Sequence, residues 1–324
     1  MTFFQCFIAA AALAFGVVFS VEAKSLKAYH IGNSLTDNMY PGGLKRIAEQ
    51  NADTYTYGKQ VSPGVPLDMN WKLQSKTGSI YSITPYGKYT TALKNYSWDV
   101  MTLQPFDNKI EGSTGDLAMA KNFINFAKGK SPNLQTYIYE RWPRQQREGG
   151  KLKPFDYTAL YTKAYTGQNS RYYLSNERQG YFESLVKQIN NSLPSSIRKA
   201  LLIPVGDVLL ELDKRIKAGK IKGTSKITEF YQDDLHLNKK GGYVASLTFY
   251  ATMYKESPLG TTVPGAFGTI DKTLAAQLQD AVWDVVSAHP YAGVKGSVSV
   301  GAVVPEPTSF GLIFLIPAML RRKR

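Results

Sequence analysis

The sequence predicts an α/β fold, a parallel sheet of about five strands covered by helices on both faces. Two observations predict it. Short apolar runs recur along the chain, each stopped by Gly or Pro, and amphipathic stretches of helical spacing lie between them. The composition agrees: among 324 residues, 43% are hydrophobic and 12% aromatic, enough to build a sizeable core and to exclude a wholly disordered chain. Gly and Pro show no repeat, which excludes collagen-like and low-complexity classes. The single cysteine, Cys6, excludes a disulfide scaffold and a cysteine-ligated zinc site.

Residues 26–31 read as a first strand, broken by Gly32 into a turn. Residues 40–50 have apolar spacing suited to a helix that opens at Pro41-Gly42-Gly43. Residues 54–61 alternate and form a second strand. Residues 98–103 form a third, stopped by Pro105. Apolar positions 117, 119, 120, 123, 124 and 127 mark a helix, and 134–139 a fourth strand. Residues 181–193 are amphipathic and helical. A fifth strand over 200–205, a helix over 208–216 and a late apolar helix over 241–254 complete the alternation. Residues 144–178 are polar, rich in Tyr, Gly and Gln, and lack that rhythm. They read as an insertion after the fourth strand, where loops rim a ligand crevice.

The two ends read as addresses. Residues 3–21 are apolar and uncharged, and Val21-Glu22-Ala23 has the small-residue spacing of a signal-peptidase site. A secretory signal over 1–23 would carry Cys6 away, leaving a thiol-free protein suited to an oxidising compartment. At the other end, Pro305-Glu306-Pro307 precedes an apolar run over 310–320 and then Arg321-Arg322-Lys323-Arg324. The run is shorter than the ~20 residues that span a bilayer comfortably. This order resembles the PEP-CTERM sorting signal of Gram-negative bacteria. The resemblance implies export across the inner membrane, transient membrane association through the tail, cleavage by an exosortase-type protease, and release or attachment at the cell surface. Residues 24–291 are then the folded domain, 292–304 a small-residue linker and 305–324 the sorting signal.

The chemistry rests on two short segments. Gly32-Asn33-Ser34-Leu35 follows the first strand, and Asp233-Asp234-Leu235-His236 lies near the end of the domain. A serine hydroxyl is a poor nucleophile until an imidazole takes its proton, and a carboxylate holds that imidazole in one tautomer. A serine at a strand-to-helix turn and an Asp-x-x-His loop from the far end of the chain meet those needs, with Asp234 as an alternative partner to Asp233. The absence of Gly-x-Ser-x-Gly argues against the α/β-hydrolase elbow.

These residues resemble the Gly-Asp-Ser-Leu and closing Asp-x-x-His blocks of the SGNH (GDSL-like) hydrolases. The resemblance spans most of 26–254 and implies a three-layer α/β/α, flavodoxin-like fold. It assigns Ser34 as nucleophile, His236 as general base and then acid, and Asp233 as the residue that orients the imidazole. It implies an oxyanion hole made by the Ser34 N–H, a glycine N–H that maps to Gly64, and an asparagine side chain from a third block. That third block, Gly-x-Asn-Asp, is absent after the third strand. Gln104 is the candidate donor there and Asn108 the fallback.

The remaining histidines carry no catalytic expectation. His30 lies inside a strand and reads as a core residue; His289, before Pro290, reads as a surface residue. Three scattered histidines give no metal-ligand spacing, and the mechanism implies no cofactor. For substrate contact the candidates are Arg141 and Trp142 after the fourth strand, and Tyr157, which with Tyr161 and Tyr165 recurs every fourth residue. A formal net charge of +14, spread along the chain, favours acidic polymers at a surface, and no nucleic-acid motif is present. The expectation is therefore an exported serine esterase acting on an O-acyl group, in first place an O-acetyl group on a carbohydrate. A lipase or thioesterase of the same mechanism, or a catalytically idle surface glycan-binding protein, is the alternative.

Overall fold

A computed structural model of the chain describes residues 23–167 and 177–294. The expected signal segment and sorting tail, most of the linker and part of the insertion lie outside the described residues.

In chain order the elements begin with β1 (Ser25–Gly32), α1 (Ser34–Asp37), α2 (Pro41–Gln50), β2 (Thr54–Val61), α3 (Leu67–Trp71) and β3 (Tyr81–Ser82). They continue with α4 (Tyr89–Asn95), β4 (Val100–Leu103), α5 (Asp116–Ala127) and β5 (Gln135–Tyr139). A small hairpin, β6 (Arg147–Glu148) and β7 (Lys151–Leu152), leads into α6 (Tyr157–Tyr161). Then come α7 (Gln179–Ser192), β8 (Leu201–Ile203), α8 (Val205–Lys217), α9 (Lys239–Tyr254) and α10 (Lys272–Ala288).

The main sheet has six strands in the order β3-β2-β1-β4-β5-β8, all parallel except the short edge strand β3. The five parallel strands, counted in sequence, run 2-1-3-4-5, the flavodoxin-like order. Helices cover both faces, so the fold is the expected three-layer α/β/α arrangement. Successive strand residues serve opposite layers. Ala28, Val100, Tyr137, Tyr139 and Ile203 join the core beneath α2, α8, α9 and α10. Tyr29, Met101, Leu103, Ile138 and Leu202 join the core beneath α4, α5 and α7.

Several elements depart from the expectation. Strand β8 stops at Ile203 and α8 begins at Val205, because Pro204 lacks an amide for the ladder and occupies the N-cap. The sixth strand and the helices α3, α4 and α10 were not expected. For α10 the signal is present in the chain: Leu274, Leu278, Ala281, Val282 and Val286 are all buried at helical spacing behind an Asp271 cap. The tyrosines of the insertion are packing residues, since Tyr157 and Tyr161 are fully buried on α6. Tyr165 lies beyond that helix, with its ring centroid 5.3 Å from that of Tyr181.

The parallel order reverses between β1 and β4, so their carboxyl ends open a crevice where ligands bind in such sheets. Beneath it Phe249 of α9 meets the Tyr139 ring at 4.7 Å and the His30 ring at 6.1 Å. Phe249→Ala is expected to lower the unfolding free energy by about 3–5 kcal/mol, read by equilibrium urea denaturation. A loss within the scatter of surface substitutions would mean that this ring does not support the sheet.

Candidate active site

The turn after β1 is sterically specified. A Cβ on Gly32 would meet Thr36 Oγ1 at 2.1 Å and Gln104 Cβ at 2.8 Å, so only glycine lets the chain enter α1 here. Asn33 is the N-cap, its side-chain oxygen accepting the Leu35 N–H at 3.0 Å. Ser34 is thereby the first residue of the helix, where the backbone N–H has no acceptor within the helix.

The Ser34 Oγ lies 2.8 Å from His236 Nε2, across 202 residues of sequence. The other ring nitrogen, Nδ1, lies 2.8 Å from Asp233 Oδ2. Asp233 Oδ1 accepts the Leu235 N–H at 2.8 Å and the His236 N–H at 2.7 Å, which closes the loop around its own carboxylate. Partial burial acts to raise the Asp233 pKa, but these backbone bonds and the imidazole outweigh it and hold the carboxyl below its ordinary value. Asp234 faces away, 3.7 Å from Arg147 Nε. Of the two neighbouring acids, Asp233 is the one beside the imidazole.

Residues that carry no chemical motif bring these groups together. Asn38, at the end of α1, forms a two-way pair with the backbone of Leu237. Its Nδ2 donates to the Leu237 carbonyl at 3.1 Å, and its Oδ1 accepts the Leu237 N–H at 3.3 Å. The segment after β5 holds the other side of the loop. Trp142 Nε1 donates to Leu235 O at 2.7 Å, the Gln145 N–H to Asp234 O at 2.7 Å, and Gln145 Nε2 to Asp233 O at 3.1 Å. Three consecutive carbonyls of the Asp-x-x-His loop are thus each bonded by residues 142–145. Tyr231 OH returns the contact by donating to Pro143 O at 2.9 Å. Nothing in one sequence marks Asn38 or Gln145 for these roles.

Other expected site residues are placed as follows. Gly64 sits in the turn after β2 with φ +65°, a left-handed backbone suited to glycine, and a Cβ there would meet open space. Gln104 is a correction. It is fully buried, with Oε1 accepting the Asn33 N–H at 3.1 Å and Nε2 donating to Pro105 O at 2.7 Å, so the amide faces the turn and not the crevice. The fallback Asn108 is likewise committed, donating to Thr114 O at 2.7 Å and lying 3.5 Å from Asp116 Oδ1. Burial pushes the Asp116 carboxyl up to about 7, and it accepts the Tyr181 hydroxyl in the same enclosed cluster.

The three expected substrate contacts are corrections too. Arg141, Trp142 and Tyr157 are all fully buried. Arg141 pairs with Asp107 and Glu177, each at 2.8 Å, and lies over the Phe106 ring. Trp142 holds the histidine loop, and Tyr157 OH donates to Gly206 O at 2.8 Å. His30 is a core residue as expected: it is bonded between Thr102 and Tyr55, and burial, aided by the Lys59 charge, pushes its pKa down to about 3. His289 is not a surface residue. Its side chain is almost wholly buried, with Nε2 3.0 Å from Asp207 Oδ2. Among the described residues, no three His, Cys, Asp or Glu side chains come together as a metal site. No helix among them is long and apolar enough to cross a membrane.

No protein-family model matches the chain, and no curated protein does. Solved structures do resemble it. A DUF4886 family protein from Bacteroides uniformis ATCC 8492 is 15% identical with a TM-score of 0.50, covering 82% of this chain and 95% of that one. A candidate GDSL-like lipase from Parabacteroides merdae ATCC 43184 is 12% identical with a TM-score of 0.35, covering 70% and 94%. The periplasmic domain of a lipopolysaccharide acetyltransferase from Salmonella ser. Paratyphi A is 15% identical with a TM-score of 0.34, covering 67% and 79%. At 15% identity the likeness to the DUF4886 family protein is one of fold alone.

Asn38→Ala tests the junction between α1 and the histidine loop. It leaves the N–H and C=O of the fully buried Leu237 without their side-chain partner. The expected loss is about 2–4 kcal/mol of unfolding free energy, read by denaturant titration. Unchanged stability would mean that the two segments meet without this pair.

Proposed function

We propose that this protein is a serine esterase of the SGNH type, exported, and acting on an O-acyl group carried by a carbohydrate. The observation that carries the reading is the continuous chain Ser34 Oγ–His236 Nε2 and His236 Nδ1–Asp233 Oδ2, each link 2.8 Å. That spacing is hydrogen-bond reach for proton transfer.

In the proposed reaction His236 Nε2 takes the Ser34 proton as Oγ attacks the acyl carbon. The oxyanion that forms is met by the Ser34 N–H and the Gly64 N–H. Collapse breaks the ester bond, and the His236 proton goes to the departing alcohol. Water then gives its proton to His236 and attacks the acyl-enzyme, and Ser34 recovers its proton as the acid leaves. Asp233 holds Nδ1–H and stabilises the imidazolium. With the Gln104 and Asn108 amides engaged elsewhere, the hole rests on backbone donors. Export and tail processing are supported by the apolar N-terminus and the Pro-Glu-Pro tail alone.

Hydrolysis of p-nitrophenyl acetate is expected to fall about 10⁴-fold in Ser34→Ala. Equal rates for the two proteins would sink the esterase and leave the idle glycan-binding reading, which the engaged Gln104 and Asn108 side chains favour.

The pH profile gives a second test. The base works only as neutral imidazole, so kcat/KM is expected to fall with a single-proton limb as pH drops from about 8 to about 5. Asp233, held below its ordinary pKa, stays charged over this range and does not set the limb. A flat profile over that range is incompatible with this role.

A further inference from the structure

Tyr81 is an exposed aromatic that nothing in the mechanism uses. It is 54% exposed, the highest value among the large hydrophobic side chains of the described residues. Its ring and hydroxyl make no stacking contact or hydrogen bond there. Its place in the sheet is fixed by register. Tyr81 stands opposite Val61 in β2, and Val61 stands opposite Gly32 in β1. Directly opposed residues project from the same face. Lys59, two positions before Val61, shares that face and forms an ion pair with Asp37 of α1. Tyr81 therefore projects on the face that carries α1 and Ser34. Two strand spacings, about 10 Å, separate it from Gly32 at the foot of the serine turn.

The same edge is tied to the turn that presents Gly64. Ser62 Oγ donates to Ser79 O at 2.9 Å, joining the residues just before Gly64 to those just before Tyr81. On its own face of the sheet Tyr81 shares the edge with the Lys59–Asp37 ion pair, while Ser82 projects to the other face and Ser62 is buried. An acyl chain needs a continuous apolar trough. The other exposed large hydrophobics among the described residues do not supply one here. Phe126 packs on Trp71 and Tyr89 on the opposite layer, Leu152 lies in the β6–β7 hairpin, and Leu259 follows α9. An exposed aromatic face with a charged pair on the same sheet face matches a sugar ring, which has an apolar C–H face and a hydroxyl rim.

We propose that Tyr81 is the floor of a sugar subsite, stacking on the pyranose ring of the carbohydrate whose acyl group reaches Ser34. The proposal deepens the esterase reading and rests on it. Tyr81 sets specificity by binding the leaving alcohol and takes no part in proton transfer.

The test compares O-acetylated xylo- and manno-oligosaccharides with ethyl acetate, which has no ring to stack. In Tyr81→Ala the ratio of kcat/KM values, sugar ester over ethyl acetate, is expected to fall about tenfold, through KM. Tyr81→Phe, which keeps the ring, is expected to retain the wild-type ratio. An unchanged ratio in Tyr81→Ala overturns the subsite while Ser34-dependent hydrolysis stands. So does Ser34-dependent hydrolysis of ethyl acetate with none of either sugar ester. If the wild type cleaves no ester faster than Ser34→Ala, the esterase reading falls and the subsite falls with it, a signature distinct from the other two.

Discussion

The site depends on bringing a hydroxyl at the mouth of β1 to an imidazole 202 residues later and holding them at 2.8 Å. Proton transfer tolerates about 0.5 Å of error. Two loops that merely touched would not meet that tolerance. The contact is instead built from both sides. Asn38 fixes the end of α1 to Leu237, next to the imidazole. Trp142 and Gln145 take the carbonyls of Leu235, Asp234 and Asp233 in turn. Each bond is worth about 1 kcal/mol in net stability. Their combined effect is geometric, because a loop bonded at three successive carbonyls and at both backbone groups of Leu237 has little freedom left to shift the ring.

The same segment shows why the strands were legible and some of the site residues were not. A strand announces itself through its own residues. β1, β4, β5 and β8 are short, largely apolar runs and β2 alternates, and the sheet is covered by helices on both faces, so the local pattern and the tertiary outcome coincide. The dyad was legible for a similar reason, since Ser and His carry their chemistry in their type. In the sequence Arg141 and Trp142 look like substrate contacts, because polar and aromatic side chains at the carboxyl end of a strand are placed to meet a ligand. What buries them comes from elsewhere. Glu177, Asp107 and the Asp-x-x-His loop are remote in sequence, and no local pattern reports that they close over Arg141 and Trp142. His289 repeats the lesson: its side chain is packed against Asp207 of α8, remote in sequence.

The Arg141 cluster adds a second kind of constraint at the rim. Arg141 and Arg144 share Asp107 and Glu177, which lie at the exit of β4 and at the far end of the insertion. Buried charges of this kind add little net stability over well-packed apolar groups, while loss of one partner is costly. What the cluster supplies is position. It ties both ends of the insertion to the loop beyond β4, so the entry and exit of that segment are pinned at the crevice. It also fixes the start of residues 142–145, on which the histidine loop rests. Asp107 adopts φ 42°, a left-handed backbone that a non-glycine residue holds only where its surroundings compel it.

Gln104 brings these threads together. An amide at the end of β4 is chemically able to meet an oxyanion, and nothing in the surrounding sequence excludes it. The structure turns it inward: its oxygen takes the Asn33 N–H and its nitrogen the Pro105 carbonyl. Asn33 caps α1 and so sets the direction of the next amide, that of Ser34. In the proposed reaction Gln104 therefore acts one residue away from the charge it was expected to meet, by aiming the backbone donor that meets it. A side-chain donor removed from an oxyanion hole typically costs 10²–10³ in turnover. A chain that moves this residue behind the turn exchanges a direct contact for rigidity in the donors that remain, and its turnover then depends on how firmly that turn is held.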